Sequence, residues 1–129
     1  PAMIAAIRDP GGVLTAVELT YLGPNGRRAL GLRLSRKTVG VMPMGSAVRL
    51  APVQPDHLVG EGLVTTLCAM ARFGLSGWAL MCVRNLAGWS APPGVRRVLI
   101  AGDRGAPGET AASALRQRLE AQGVAAEIA

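Results

Sequence analysis

Histidine, cysteine and aromatic residues are scarce in this 129-residue chain, which has one His, two Cys, one Phe, one Tyr and two Trp. No Cys and His residues cluster at the spacing of a zinc-binding domain, so a structural zinc site of that kind is excluded. Cys68 and Cys82 lack C-x-x-C spacing, and we expect both to be buried, inert thiols in a reducing compartment. Trp78 and Trp89 have apolar neighbours and are expected at core or rim positions.

Several catalytic motifs are also missing. No Walker A loop is present, which excludes ATP-driven helicase action by this chain itself. No serine lies in a G-x-S-x-G context, so a hydrolase triad finds no support. His57, the single histidine, begins a predicted strand and is expected at the surface or a sheet edge rather than as a catalytic base.

Long apolar runs are absent as well. None reaches the roughly 18 residues that a membrane span needs, and the N-terminus lacks the layout of a signal peptide. We therefore expect a cytoplasmic protein with no membrane partner. Since the sequence begins with Pro1 rather than Met, we expect it to be a piece of a longer protein.

Acidic residues are missing from one long interval. The whole chain carries 14 Lys and Arg against 8 Asp and Glu, a formal charge of +6, but no acid lies between Glu18 and Asp56. This interval would attract polyanions, and the attraction would weaken with salt. A solvated loop with an Arg-rich coding bias is the alternative interpretation. The basic residues of the interval are Arg27, Arg28, Arg33, Arg36, Lys37 and Arg49.

The residues that are abundant, mainly Ala, Val and Leu, favour an α/β protein with helix-covered sheets. Residues 3–8 and 13–22 flank a strong turn signal and predict an antiparallel hairpin, followed by a loop-rich basic stretch. Beyond Pro55, short apolar runs alternate with helical periodicity, which is typical of βαβ units. The pattern predicts strands at 57–62, 77–83, 96–102 and 124–128, and helices at 63–72, 85–89 and 109–122. The inward helix faces would carry Leu63, Leu67 and Met70 on the first helix, and Ala112, Leu115 and Leu119 on the last.

Two carboxylates occupy equivalent places in this pattern, because Glu61 and Asp103 each follow a strand and enter a glycine turn. Ligands of open parallel sheets bind beyond the carboxyl ends of the strands, so both acids would share one crevice if their strands are neighbours. Paired carboxylates at such an edge suit a magnesium ion that bridges to substrate phosphates. The structural alternative for Asp103 is an N-cap or turn residue.

The segments LVGEGLVTTL and VLIAGDRGAPGETAASAL resemble the toprim domain, a metal-binding α/β module of bacterial-type primases, topoisomerases and some nucleases. Glu61 matches its glutamate after the first strand, Asp103 the leading aspartate of its D-x-D motif, and Gly108 the glycine that follows. The upstream segments PAMIAAIRDPGGVLTAVELTYLGPNGR and RKTVGVMPMGSAVRLAP resemble the region before toprim in primase-like and helicase-primase-like proteins of phages and mobile elements. The resemblance implies a β-hairpin and basic segment at 1–52 and a toprim-like, Rossmann-type domain at 53–129, with a mostly parallel four-stranded sheet flanked by helices.

The resemblance further implies that Glu61 is a general acid/base or metal ligand and that Asp103 is a ligand of Mg²⁺ or Mn²⁺. The sequence departs from the family at Gly105, which stands where the second aspartate belongs, and the loss of one carboxylate weakens a magnesium site. Arg104 cancels further negative charge. Glu109 either leans back to replace the missing acid or is a first-turn acid that favours the helix dipole.

Phosphate contacts are expected from the residues around this crevice. The cations just upstream would position phosphates rather than read bases, and the glycines let backbone N–H groups approach an anion. These residues are Arg36, Lys37, Arg49, Gly62 and Gly108. The first hypothesis is that this chain is the toprim module of a primase-like protein and forms part of a larger replication protein. In this hypothesis it binds Mg²⁺ together with the phosphates of DNA, RNA or nucleotides for nucleotidyl transfer. The alternatives are a catalytically degenerate toprim-like domain for DNA binding or assembly, and a small toprim-type nuclease.

Overall fold

A computed structural model describes the whole chain, Pro1–Ala129. Three helices and eight strands form a mixed α/β architecture, which confirms the predicted class. The strands are β1 (Ala2–Arg8), β2 (Leu14–Tyr21), β3 (Arg36–Gly40), β4 (Val48–Arg49), β5 (Asp56–Gly60), β6 (Ser76–Ala79), β7 (Arg97–Ala101) and β8 (Ala125–Ile128). The helices are α1 (Leu63–Phe73), α2 (Val83–Gly88) and α3 (Ala106–Ala121). None of the three has the length and apolar content needed to span a membrane.

The N-terminal sheet has the order β1-β2-β3, and both pairings are antiparallel. The predicted hairpin between β1 and β2 is confirmed. Its turn is closed by Asp9, whose carbonyl accepts the Gly12 N–H at 2.9 Å and whose Oδ1 accepts the Val13 N–H at 2.9 Å. β3 forms within the stretch for which loops were predicted, because the open edge of β2 offers it a hydrogen-bonding partner.

The second sheet has the order β4-β6-β5-β7-β8. Its four strands from β6 to β8 are parallel, as predicted, and β4 adds a short antiparallel edge that was not predicted. β6 ends at Ala79 rather than at residue 83, because the chain turns sharply at Met81, whose φ is +74°.

One face of this sheet packs against α2 and α3. Trp78 and Trp89 are both buried there, as expected. The predicted inward face of α3 is also confirmed, since Ala112, Leu115 and Leu119 are buried. This face therefore holds the larger of the core clusters.

The opposite face is covered by α1, and the predicted orientation of that helix is partly wrong. Leu67 is 44 % exposed, whereas Thr66 and Ala69 are buried. A Cβ atom added at Gly60 would collide with Thr66, so the helix lies close to β5. Leu63 and Met70 face inwards as predicted, but the small Thr66 and Ala69 take the positions nearest the sheet and Leu67 faces solvent.

Two further expectations are corrected. His57 is fully buried rather than at the surface, because its strand, β5, lies between β6 and β7. The imidazole ring of His57 packs edge-on against the Trp78 ring, with 5.3 Å between the two centroids. Cys68 is exposed on the outer side of α1 and Cys82 is half-buried, so neither thiol is fully buried.

The two sheets meet beside the start of α1. Ala5, Ile7 and Ala16 from the N-terminal sheet pack in one cluster with Leu63, the first residue of α1. A β-bridge between Arg8 and Ala47 also joins β1 to the segment leading into β4. One face of the N-terminal sheet is thereby held next to the carboxyl ends of the parallel strands.

Candidate functional site

The carboxyl ends of β5 and β7 bring two acidic residues together. These strands are parallel neighbours with Gly60 opposite Ala101, and the Glu61 N–H extends the ladder by donating to the Ala101 carbonyl at 3.2 Å. Asp103 leaves β7 two residues later and donates its backbone N–H to Glu61 Oε2 at 3.3 Å. The structure therefore places Glu61 and Asp103 side by side at one strand edge.

Thr65 connects the pair to α1. Its hydroxyl donates to Asp103 Oδ1 at 2.6 Å, across 38 positions of sequence. Because this hydrogen bond occupies Oδ1, the second oxygen, Oδ2, is left available. Thr65 was not predicted as a site residue, although its place in the first turn of the helix after Glu61 was a usable signal.

The two predicted glycines line the pair closely. Gly108 lies in the first turn of α3, where an added Cβ would collide with the Asp103 carbonyl and lie 3.0 Å from Glu61 Oε2. At Gly62, the N-cap of α1, an added Cβ would lie 3.8 Å from Asp103 Oδ2. The absence of a side chain at Gly108 is thus a packing requirement of the site.

No cation neutralises the pair. The structure has one ion pair, Arg116 with Glu120, on the exposed side of α3. Glu61 is half-buried and Asp103 is exposed, so a cation from solvent can reach both carboxylates. Two neighbouring anionic groups without a positive partner favour the binding of a divalent ion.

A third acidic ligand is absent. No group of three or more His, Cys, Asp or Glu side chains lies close enough to hold a metal ion, so Glu109 does not join the pair. Gly105, at the N-cap of α3, has φ +118° and ψ 156°, a conformation that is essentially restricted to glycine. The chemistry of the pair still suits Mg²⁺, which commonly takes one or two carboxylates and completes its shell with water and substrate phosphates.

The three predicted phosphate-contacting cations lie in different places. Arg36 lies opposite Thr20 in the β2–β3 register, so its side chain is on the same face of the sheet as that of Ala16. This face packs towards α1 through Ala16, which clusters with Leu63. Lys37 lies on the opposite face, with Nζ 5.8 Å from the Tyr21 ring centroid.

Arg49 is engaged in holding the hairpin turn. Its Nη2 donates to the carbonyls of Asp9 and Pro10 at 3.0 and 3.2 Å, and its guanidinium lies 4.6 Å from the Trp78 ring centroid. Of the three cations, Arg36 is the one on the sheet face that packs towards α1.

Comparison with known proteins agrees with this architecture. A family described as a domain of unknown function matches residues 1–50. The chain is similar in structure to the primase fragment of the bacteriophage T7 primase-helicase protein, with a TM-score of 0.68 at 15% identity over 99% of this chain and 52% of that one.

A second similar chain belongs to the structure of bacteriophage T7 lagging-strand DNA polymerase interacting with primase domains of two gp4 subunits bound to an RNA/DNA hybrid and dTTP. Here the TM-score is 0.58 at 14% identity, over 99% of this chain and 64% of that one. This chain thus spans less than two thirds of either structure, and no curated protein matches it. The family described as the toprim domain matches residues 56–129, more than half of the sequence, and the chain therefore belongs to the toprim family.

Proposed function

We propose that this chain is the toprim part of a primase-like DNA replication protein. In this proposal it binds Mg²⁺ or Mn²⁺ together with the phosphates of nucleotides or nucleic acid, for nucleotidyl transfer. The observation that carries the proposal is the Glu61–Asp103 pair, which lies without a positive partner at the ends of neighbouring parallel strands. Such an edge is where ligands of open α/β sheets bind.

Each side chain of the pair has a separate role in the proposal. Asp103 offers Oδ2 to the metal while Thr65 fixes the orientation of the carboxylate through Oδ1. Glu61 keeps Oε1 free while Oε2 accepts the Asp103 N–H, so it can serve as a metal ligand or accept a proton from an attacking hydroxyl. When bound, the metal supplies positive charge to the phosphate oxygens.

The similar structures support the choice of reaction class. One is named a primase fragment, and the other holds an RNA/DNA hybrid and dTTP. We therefore propose nucleotides, DNA and RNA as ligands, and further domains of a replication protein as partners. Arg36 is the proposed phosphate-positioning cation, since it shares the sheet face that packs towards α1.

Gly105 favours a second candidate, a toprim domain without catalytic activity that serves in DNA binding or assembly. The missing aspartate leaves two acids at the site, and Glu109 does not supply a third. In this candidate the fold and the cationic face are retained while the metal is not held firmly enough for chemistry.

Titration with Mg²⁺ and Mn²⁺, followed by calorimetry in the presence of tripolyphosphate, separates the two candidates. We expect metal-dependent binding of tripolyphosphate, which Glu61→Gln and Asp103→Asn each weaken by about tenfold or more. Glu109→Gln is the matched control, because Glu109 lies outside the pair, and it should bind like the wild type. If the wild type shows no metal-dependent binding, the degenerate candidate is correct.

A further inference from the structure

A cavity lies beyond the carboxyl end of β6. It measures about 300 Å³ and is lined by Met42, Pro43, Met44, Cys82, Arg84 and Asn85. We call it the β6-end cavity. Its walls come from two parts of the chain, the connection between β3 and β4 and the start of α2.

The β6-end cavity lies near the backbone of Glu61, one member of the acidic pair. The Met81 N–H donates to the Glu61 carbonyl at 2.6 Å, and Cys82 is the next residue. Standard backbone dimensions then place the Cys82 Cα within about 8 Å of that carbonyl oxygen. In the sheet order β6-β5-β7, the cavity lies on one side of Glu61 and Asp103 lies on the other.

The two walls are fixed to each other by the buried amide of Asn85, which is 3 % exposed. Its Oδ1 accepts the Gly45 N–H at 2.7 Å, and its Nδ2 donates to the carbonyls of Ser46 and Leu80 at 2.5 and 2.8 Å. Ser46 in turn donates its hydroxyl to the Pro43 carbonyl at 2.6 Å. The cavity is therefore preformed, which lowers the ordering cost of binding a ligand.

A strained turn presents the second wall. Met81 is the one residue other than glycine with positive φ, at +74°, and the Cys82 N–H donates to the Leu80 carbonyl at 3.0 Å. This is a γ-turn of the rare positive-φ kind, which costs on the order of 1–3 kcal/mol and is typical of functional sites. The turn is maintained because Met81 packs against the cluster between the two sheets.

We propose that the β6-end cavity binds the nucleoside part of a nucleotide whose phosphates reach the Glu61–Asp103 pair. This inference rests on the proposed function and adds a base-binding subsite to it. The cavity and the acidic pair lie along the same strand edge, so one extended ligand can occupy both.

The lining of the cavity suits a nucleoside. Two thioethers and a proline ring offer soft apolar surface for an aromatic base, and Arg84 is the one charged lining residue. The cavity holds no acid that would repel a nucleotide, and a guanidinium can stack on a base or contact a phosphate. Its volume is at the lower end of the roughly 300–1,000 Å³ range of small-molecule sites. Methionine side chains adapt to different shapes, so we expect little discrimination between bases.

Methyl-labelled methionine NMR tests the subsite directly. We expect ATP with Mg²⁺, and adenosine alone at higher concentration, to shift the methyl signals of Met42 and Met44. Tripolyphosphate with Mg²⁺ should leave these two signals in place. Met70, which packs beside Gly77 on the α1 side of the sheet, serves as the internal control and should not move.

A paired variant gives an independent readout. Met42→Gln with Met44→Gln should weaken ATP binding by about fivefold through the loss of sulfur–aromatic contacts, while tripolyphosphate binding stays unchanged. Val13→Gln is the matched control, since Val13 is 61 % exposed in the hairpin turn and lies outside the cavity. Because Met42 also packs against the cluster between the two sheets, the paired variant should unfold at a lower midpoint than the control, and the unchanged tripolyphosphate binding shows that its site remains folded.

The outcomes separate the subsite from the proposed function. Metal-dependent tripolyphosphate binding with no ATP-induced shift of Met42 or Met44 overturns the subsite and leaves the acidic pair standing. Shifts with ATP and adenosine but no metal-dependent tripolyphosphate binding support the subsite and overturn the metal site. An equal loss of ATP and tripolyphosphate binding in the paired variant also overturns the subsite.

Discussion

Asp103 makes two hydrogen bonds that fix the orientation of its carboxylate. Its backbone N–H donates to Glu61 Oε2, and its Oδ1 accepts the Thr65 hydroxyl. The carboxylate is therefore neither a free surface group nor a side-chain N-cap of α3, whose N-cap Gly105 has no side-chain cap bond. This arrangement makes Thr65 a positioning residue in the proposed metal site.

Replacing Thr65 with Val tests this role. The variant keeps the shape of the side chain but leaves Asp103 free to rotate, so we expect Mg²⁺ affinity to fall by about tenfold. Thr65→Ser retains the hydroxyl and should restore most of the affinity, as measured by calorimetry. If both variants bind Mg²⁺ equally, the hydroxyl does not orient the carboxylate. The stability loss of Thr65→Val should not exceed about 1.5 kcal/mol.

Gly105 stands where the resemblance to toprim domains would place a second aspartate, and its backbone conformation makes any other residue there costly. Its φ of +118° strains any other residue by about 1–3 kcal/mol, although no atom lies within 4 Å of an added Cβ. We expect Gly105→Asp to raise Mg²⁺ affinity by about tenfold while lowering the free energy of unfolding. Gly105→Asn carries the same strain without the charge, so equal Mg²⁺ affinity in both variants would contradict a metal site here.

At the scale of elements, the central position of β5 determines the behaviour of His57. Burial lowers the pKa of His57 from 6.5 to about 4, and neither ring nitrogen has a hydrogen-bond partner. The folded state thus favours the neutral ring, whereas the unfolded chain binds a proton at His57 below pH 6.5. The contribution of His57 to the free energy of unfolding is therefore fully present above pH 6.5 and is lost as the pH falls towards 4.

Urea unfolding measures this contribution. Between pH 7 and pH 4.5, the wild type should lose about 2 kcal/mol more than His57→Leu, which has no titrating ring at this position. The carboxylates are the same in the two proteins, so their contribution to the pH dependence cancels in the difference. An identical pH dependence in both proteins would mean that His57 is protonated without penalty in the folded state.

The elements also show what could be predicted from the sequence. The parallel strands and α3 follow from apolar runs and helical periodicity, and the Glu61–Asp103 pair follows from acids placed after strands. β3 and the orientation of α1 could not be predicted, because they depend on the open edge of β2 and on the closeness of α1 to Gly60. Thr65 was missed because its hydrogen bond reaches Asp103, 38 positions away, and the turn at Met81 was missed because the Met81 N–H donates to the distant Glu61 carbonyl.

At the scale of the whole molecule, the N-terminal sheet packs beside the start of α1, next to the carboxyl ends of the parallel strands. One face of the N-terminal sheet packs beside α1 and carries Arg36, while Lys37 lies on the opposite face. Arg36 and Lys37, which are neighbours in the basic stretch of the sequence, therefore lie on opposite faces of the sheet.

The salt dependence of single-stranded DNA binding tests this distinction. We expect Arg36→Gln to reduce the slope of log K against log salt by about 0.7, the value of one phosphate contact on a single strand. Lys37→Gln removes the same charge from the other face and should leave the slope unchanged. If both variants change the slope equally, the basic residues between Glu18 and Asp56 attract DNA only through their summed charge, and the sheet face on which a cation lies makes no difference.

The central claim is that Glu61 and Asp103 together hold a divalent ion, and paramagnetic broadening by Mn²⁺ tests it most directly. In isotope-labelled protein titrated with substoichiometric Mn²⁺, the amide signals of Gly62, Asp103 and Gly108 should broaden first. Asp103→Asn should abolish this broadening without changing the rest of the spectrum. Broadening centred on Glu120 or Glu127, or none at all, would contradict the account.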